Sequence, residues 1–149
     1  MKLPRYQLKS SEKLWTFEFI SEGSRGKISK IIQYTPTNLK DVYNLAFGDK
    51  DKNTGQIDDM IISNNGDSEK VLATVIASVY AFTDKYPDAY IYATGSTSAR
   101  TRLYRMGISK YLDEVLNDFE IYGEVKDGWV QYEKDVDYLS FLVKRILKN

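Results

Sequence analysis

The chain has 149 residues, with 21 Lys plus Arg against 21 Asp plus Glu, and contains neither His nor Cys. Missing cysteines exclude disulfides, thiolate nucleophiles, iron–sulfur clusters and Cys-type zinc sites; missing histidines exclude a Ser–His–Asp triad, an HExxH metalloprotease and an imidazole proton shuttle. A composition of 42% hydrophobic and 28% charged residues is that of a soluble globular protein, and residues 1–149 are expected to form one domain.

What stays open is hard-cation binding by carboxylates, acid–base work by Tyr or carboxylates, Ser/Lys pairs and catalysis by positioning. The opening Met-Lys-Leu-Pro-Arg-Tyr has no apolar run of the signal-peptide kind, and no stretch approaches the roughly 18 apolar residues of a membrane span. A cytoplasmic, soluble protein is therefore expected. Charge is unevenly placed: 96–110 carries Arg100, Arg102, Arg105 and Lys110 and no acid, whereas 111–137 carries nine acids and two lysines. That juxtaposition, with zero net charge, speaks against a broad duplex nucleic-acid surface.

In chain order, residues 14–20 alternate with Trp15, Phe17 and Phe19 on one face, which predicts a strand. Turn chemistry at 22–26 leads to a second alternating run over 27–34, and 42–47 and 59–63 are further short strands; together they predict an antiparallel meander. From Ser68 to Tyr86 the spacing of Leu72, Val75, Ile76, Val79, Phe82 and Tyr86 predicts an amphipathic helix with Asp67 as its N-cap. A short buried strand follows at 89–93. A second helix opens at 95–98 with Ala99, Leu103 and Met106 as its stripe; Gly107 interrupts it, and Ile108, Leu112, Val115 and Leu116 carry another helical stripe. Asp127-Gly128 joins strands at 119–125 and 129–133 as a hairpin. Asp135 is read as the cap of a last helix in which Leu139, Leu142, Val143 and Ile146 share a face. The predicted class is α+β, a mixed and mainly antiparallel sheet with helices in the order ββββ-α-β-α-ββ-α.

Three segments carry candidate chemistry. Residues 49–59 place Asp49, Asp51 and Asn53 at alternate positions like a calcium loop. Thr54 stands where the loop needs Gly and Met60 where it needs Glu, so a hairpin loop is the plainer reading and no metal is expected. Asn64-Asn65-Gly66-Asp67 precedes a helix, but Asp67 repels an anion there and reads as a turn plus cap.

The stronger anion candidate is Gly95, Ser96, Thr97, Ser98 and Arg100 at the next helix start, assisted by Arg102 or Arg105. Helical geometry makes Arg102 and Arg105 neighbours and turns Arg100 roughly 140–160° away, so the three cannot form one clamp. The 12 tyrosines, nine of them from Tyr80 onward, read as core-edge or interface residues, with stacking on single-stranded bases as the alternative.

A meander, helix, strand, helix and hairpin in that order is similar to the core of the GNAT-type N-acyltransferases, and the run from Tyr90 to Ile108 resembles that family's late strand and helix. The resemblance implies an acyl-CoA cofactor and Tyr104 as general acid to the departing thiolate, with a strand carboxylate such as Asp49 or Asp59 as base. The family's pyrophosphate loop, laid on Gly66, meets Ser63, Gly66, Asp67 and Ser68 and lacks its basic or amide residue. The phrases Tyr-Asn-Leu-Ala-Phe-Gly-Asp (43–49), Asn-Asn-Gly-Asp (64–67) and Gly-Ser-Thr-Ser-Ala-Arg-Thr-Arg-Leu-Tyr-Arg (95–105) also resemble an uncharacterised bacterial family with no established activity.

The expectation is thus a small intracellular binding or interaction domain with an acyltransferase-like core, non-catalytic and without cofactor. One alternative is a divergent N-acyltransferase using acetyl-CoA and Tyr104. The other is a binder of single-stranded nucleic acid or nucleotide. A homodimer or a protein partner fits the first reading.

Overall fold

The computed structural model describes residues 4–58, 63–94 and 98–147. Within them the fold is α+β: strands β1 (Lys9–Ser10), β2 (Thr16–Gly23), β3 (Gly26–Pro36), β4 (Val42–Asp49), β5 (Tyr90–Ala93), β6 (Phe119–Val125), β7 (Gly128–Gln131) and β8 (Phe141–Arg145), and helices α1 (Ser68–Lys85), α2 (Ser98–Lys110) and α3 (Leu112–Val115). The sheet runs β1-β2-β3-β4-β5-β8-β6-β7 and is antiparallel where registers are defined, except for the parallel pair β4–β5. The chain divides into two compact units, Met1–Tyr34 with Ala46–Lys85, and Thr35–Leu45 with Tyr86–Asn149, so β3 and β4 run through both.

In the first unit the predicted alternation holds. Phe17, Phe19 and Ser21 of β2 lie opposite Ile32, Lys30 and Ile28 of β3, and all of these but the half-buried Ile28 are buried. The strand starts at Thr16 rather than at residue 14 because Leu14 has a φ of 58°, in the left-handed region of a tight turn. Two residues, Ser24 and Arg25, join β2 to β3, and Gly26 with φ 86° supplies the backbone conformation that closes this loop. Helix α1 spans the predicted range and stacks Phe82 on Tyr34 with ring centroids 4.2 Å apart, while the Tyr34 hydroxyl meets Ser78 Oγ at 2.8 Å. Phe19 continues the aromatic core between Tyr6 (5.5 Å) and Phe47 (6.2 Å).

Two polar clusters sit inside this unit. Lys30, 1% exposed, pairs with the Asp49 carboxylate and donates to the Ser63 carbonyl at 3.0 Å, while the Ser63 N–H donates to Asp49 at 3.1 Å. Asp67, just before α1, accepts from the Tyr6 and Ser21 hydroxyls, each at 2.5 Å, and its carbonyl takes the Val71 N–H. Asn65 is buried and holds the β2–β3 loop: its side chain donates to Gly26 O and Ser21 Oγ and accepts from the Arg25 N–H at 2.6 Å.

Burial, and then the bond to Asp67, push the Tyr6 phenol above its ordinary value. The neutral phenol is thus favoured in the fold. Its contribution is complete below the ordinary tyrosine value near 10.0 and is lost as pH rises through the raised folded value. Tyr6→Phe is expected to cost about 1–3 kcal/mol near pH 7, by leaving buried acceptors without their donor. It should also flatten the fall in stability above about pH 10. Urea unfolding of both proteins at several alkaline pH values checks this.

In the second unit the first half of β4 pairs in parallel with β5, β8 lies between β5 and β6, and β7 is the edge. Phe119 and Ile121 of β6, Phe141 of β8, and Ile91 and Ala93 of β5 are buried on one face. That face carries α2: Tyr132 packs on Phe141 at 6.1 Å and its hydroxyl meets Ser109 Oγ of α2 at 2.5 Å.

Three sequence expectations are corrected here. The last helix is absent, and Phe141–Arg145 is the strand β8, paired on both sides. Asp135, read as its cap, has a φ of 65°, and Leu139, read on its apolar face, is 62% exposed. Gly107 does not interrupt α2, which runs through it to Lys110; the break comes at Tyr111, with φ −108° and ψ 17°. Met106, assigned to the buried stripe, is exposed. The strand expected at 59–63 falls mostly outside the described residues, and Ser63 itself belongs to no element.

Candidate functional site

Of the residues expected to bind an anion, Gly95, Ser96 and Thr97 lie outside the described residues, and Ser98, Arg100, Arg102 and Arg105 fall on α2, as does Tyr104, the general acid of the acyltransferase alternative. Arg102 is exposed. Arg105 forms an ion pair with Asp137 beside a small open cleft that it lines with Met106, Ser109 and Asp135. Of the two suggested bases, Asp49 is held by Lys30, and Asp59 lies outside the described residues.

The loop compared with a calcium site is a hairpin turn. Lys50 bridges Ile57, and the Asp51 carboxylate caps the turn by accepting the Asn53 and Thr54 N–H groups at 2.7 and 3.2 Å. Among the described residues no group of three or more acidic side chains is placed to hold a metal. Asp67 and Asn65, from the second segment, are committed to the hairpin and to Tyr6.

The first unit also has an open cleft of about 770 Å³, lined by Tyr6, Phe19, Glu18, Lys50 and Lys70 among others. Two of its cations are engaged: Lys50 pairs with Glu18, and Lys70 Nζ lies 4.2 Å from the Tyr6 ring centroid.

The most distinctive surface is on the second unit, on the sheet face turned away from Phe141 and α2. Strand registers place its side chains in rows. Asn44, Tyr92, Leu142, Tyr122 and Gln131 lie side by side across β4, β5, β8, β6 and β7; Val42, Tyr90, Lys144 and Glu120 form the next row; Glu124 and Trp129 face each other across β6–β7. Period-two strands put these residues on one face because their neighbours Ile91, Phe141 and Ile121 point to the other. Trp129 is 41% and Tyr90 38% exposed, and the Tyr92 and Trp129 rings meet edge to face at 6.1 Å.

Polar groups on this face are partly used. Lys144 Nζ donates to the carbonyls of Pro87 (2.9 Å) and Arg145 (3.0 Å) and lies 5.9 Å from the Tyr90 ring centroid. Glu120 accepts from the Tyr122 hydroxyl at 2.9 Å, and Glu124 from Ser140 Oγ at 2.6 Å. The bond to Glu120, followed by burial, raises the Tyr122 phenol, so Tyr122 stays a neutral donor at neutral pH. Among the described residues neither carboxylate forms an ion pair.

The tyrosine excess in the sequence does not by itself gather these four aromatics. The signal lies in the Tyr-x-Tyr of 90–92 and the Glu-x-Tyr-x-Glu of 120–124, but β8, which joins the two halves of the face, has the residue spacing of a helix.

Fold and surface define an α+β sheet protein whose second unit leaves an aromatic sheet face open. Residues 2–146 match a family of unknown function, DUF6934, and the chain belongs to it. No curated protein and no solved structure matches the chain.

Proposed function

We propose that this protein is a binding or interaction domain that engages its partner through the open face of the second unit's sheet. One observation carries this reading: Tyr90, Tyr92, Tyr122 and Trp129, from three strands, share a face on which Trp129 and Tyr90 are exposed. Large aromatics supply most of the contact energy in interfaces at little entropic cost, and a contiguous exposed set is uncommon on a surface with no partner. No cofactor takes part in this reading.

The order of meander, α1, β5, α2 and β6–β7 hairpin supports the acyltransferase-like core, and acetyl-CoA belongs to that alternative alone. An anion site at 95–105 is the other alternative surface, with Arg102 exposed.

Thermal unfolding with acetyl-CoA, a short oligothymidylate and a peptide of alternating arginine and glycine separates these readings. A ligand at about 100 times its dissociation constant adds roughly 2.7 kcal/mol, a rise of several degrees for a chain near this size. The double variant Tyr92→Ala/Trp129→Ala is expected to lose such a shift, and Arg100→Ala and Tyr104→Phe to keep it. A shift kept by the double variant and lost in Arg100→Ala moves the site to the start of α2. A shift with acetyl-CoA alone, with turnover lost in Tyr104→Phe, replaces the proposal with the acyltransferase reading.

A further inference from the structure

We infer that the occupant of the open face is a cationic segment of another polypeptide, bearing arginine or lysine side chains; this rests on the reading of that face as a binding surface. Three features of the face point the same way.

Its charge is negative. Among the described residues, Glu120 and Glu124 stand against the single cation Lys144, whose ammonium is already directed at two carbonyls, and the two carboxylates have only neutral hydroxyl donors. A bound anion would have to approach two such carboxylates, whereas a cation would complete them.

Its rings are suited to cations. Guanidinium and ammonium groups are attracted to the faces of Trp and Tyr, and the face holds one internal example in Lys144 beside Tyr90.

Its edge is available. In β7 the N–H of Tyr132 points back to Ile121 of β6 at 3.0 Å, so by alternation the backbone groups of Trp129 and Gln131 point outward. An extended peptide can pair there while its alternate side chains cross the face. A second copy of this strand fits less well. Antiparallel pairing that joins Trp129 to Gln131 of the copy sets Lys126 against Lys134 and Asp127 against Glu133, like charge on like charge.

The test is fluorescence anisotropy of a labelled peptide of alternating arginine and glycine, titrated with the full chain at low and moderate salt. A glutamate–glycine peptide and an oligothymidylate serve as comparison probes. The expected result is saturable binding of the arginine peptide alone, at least tenfold weaker for Trp129→Ala. The double variant Glu120→Gln/Glu124→Gln should bind several-fold more weakly with a shallower salt dependence.

Circular dichroism and the unfolding midpoint of each variant show that it is folded. Lys9→Ala and Lys27→Ala, on the first unit, provide surface controls with unchanged binding. Oligothymidylate binding that is lost in Trp129→Ala would keep the face as a binding surface and overturn the cationic partner. So would a concentration-dependent dimer in sedimentation that Trp129→Ala abolishes. Arginine-peptide binding that is indifferent to both aromatic and carboxylate variants, or no binding of any probe, would overturn the inference; in the first case the face itself falls with it.

Discussion

Replacing Lys30 with Ala is expected to destabilise the protein by roughly 3–5 kcal/mol, the usual cost of leaving one half of a buried ion pair uncompensated. The pair is well inside the first unit: the Lys30 side chain is 2% and that of Asp49 12% exposed. Among the described residues, removing the ammonium strands the carboxylate with only the Ser63 N–H, and also leaves the Ser63 carbonyl without its donor. The unfolding midpoint should fall on the order of ten degrees at this chain length. The double variant Lys30→Met/Asp49→Leu should recover much of the loss, because an apolar pair of similar volume removes both desolvation costs. Urea unfolding of the two proteins checks the pair. A loss below about 1 kcal/mol for Lys30→Ala would mean that water reaches Asp49.

Gly23→Ala is the second large effect. A Cβ at this position would stand 1.9 Å from the Asn65 carbonyl oxygen and 2.9 Å from its Cγ, and neither atom can yield cheaply. The Asn65 carbonyl takes the Ser24 N–H, and its side chain holds Arg25, Gly26 and Ser21. Making room for one methyl group therefore means lifting the 64–67 turn from the β2–β3 loop. The expected cost is about 3 kcal/mol or more, at the top of the range for overpacking, because hydrogen bonds are lost with the fit. Gly26→Ala is the informative comparison. Nothing lies within 4 Å of its added Cβ, so its cost comes from the φ of 86° alone and should be about 1 kcal/mol. Equal effects for the two would show that contact with Asn65 is not what holds residue 23 as glycine.

Much of the fold could be read from the sequence wherever one local pattern decides the outcome. The alternation of Phe17 and Phe19, the helical spacing from Leu72 to Phe82, and the turn glycines at Gly26 and Gly128 each state their element within a few residues. The hairpin before β7 shows the limit of that precision: the strands pair Val125 with Gly128, so Lys126 and Asp127 make the turn and Gly128 opens the strand.

What local pattern missed is set by distant partners. Phe141–Arg145 has too few residues for its period to be decisive, and it is a strand because β5 and β6 both offer it a hydrogen-bonding edge. The buried lysine is a second case. Lys30 looks like a solvated strand residue until Asp49 and Ser63, far along the chain, are placed beside it.

The candidate site was harder still. Its aromatics come from β5, β6 and β7 and are brought onto one surface by β8, the very strand read as a helix. The segment 95–105 has the sequence signature of a site because all its chemistry is contiguous. The open face takes its chemistry from separate short segments at 90–92, 120–124 and 129–131, and only strand order assembles them.

The central claim is that this face is where a partner binds. Backbone amide chemical-shift mapping during titration with the arginine–glycine peptide tests it most directly, since it locates contact without presuming which side chains matter. The expected perturbations cluster at Tyr90, Tyr92, Tyr122, Trp129, Gln131 and Leu142 and leave α2 and the first unit unmoved. Perturbations centred on Arg100 and Arg102, or scattered over both units with no cluster on this face, would contradict it.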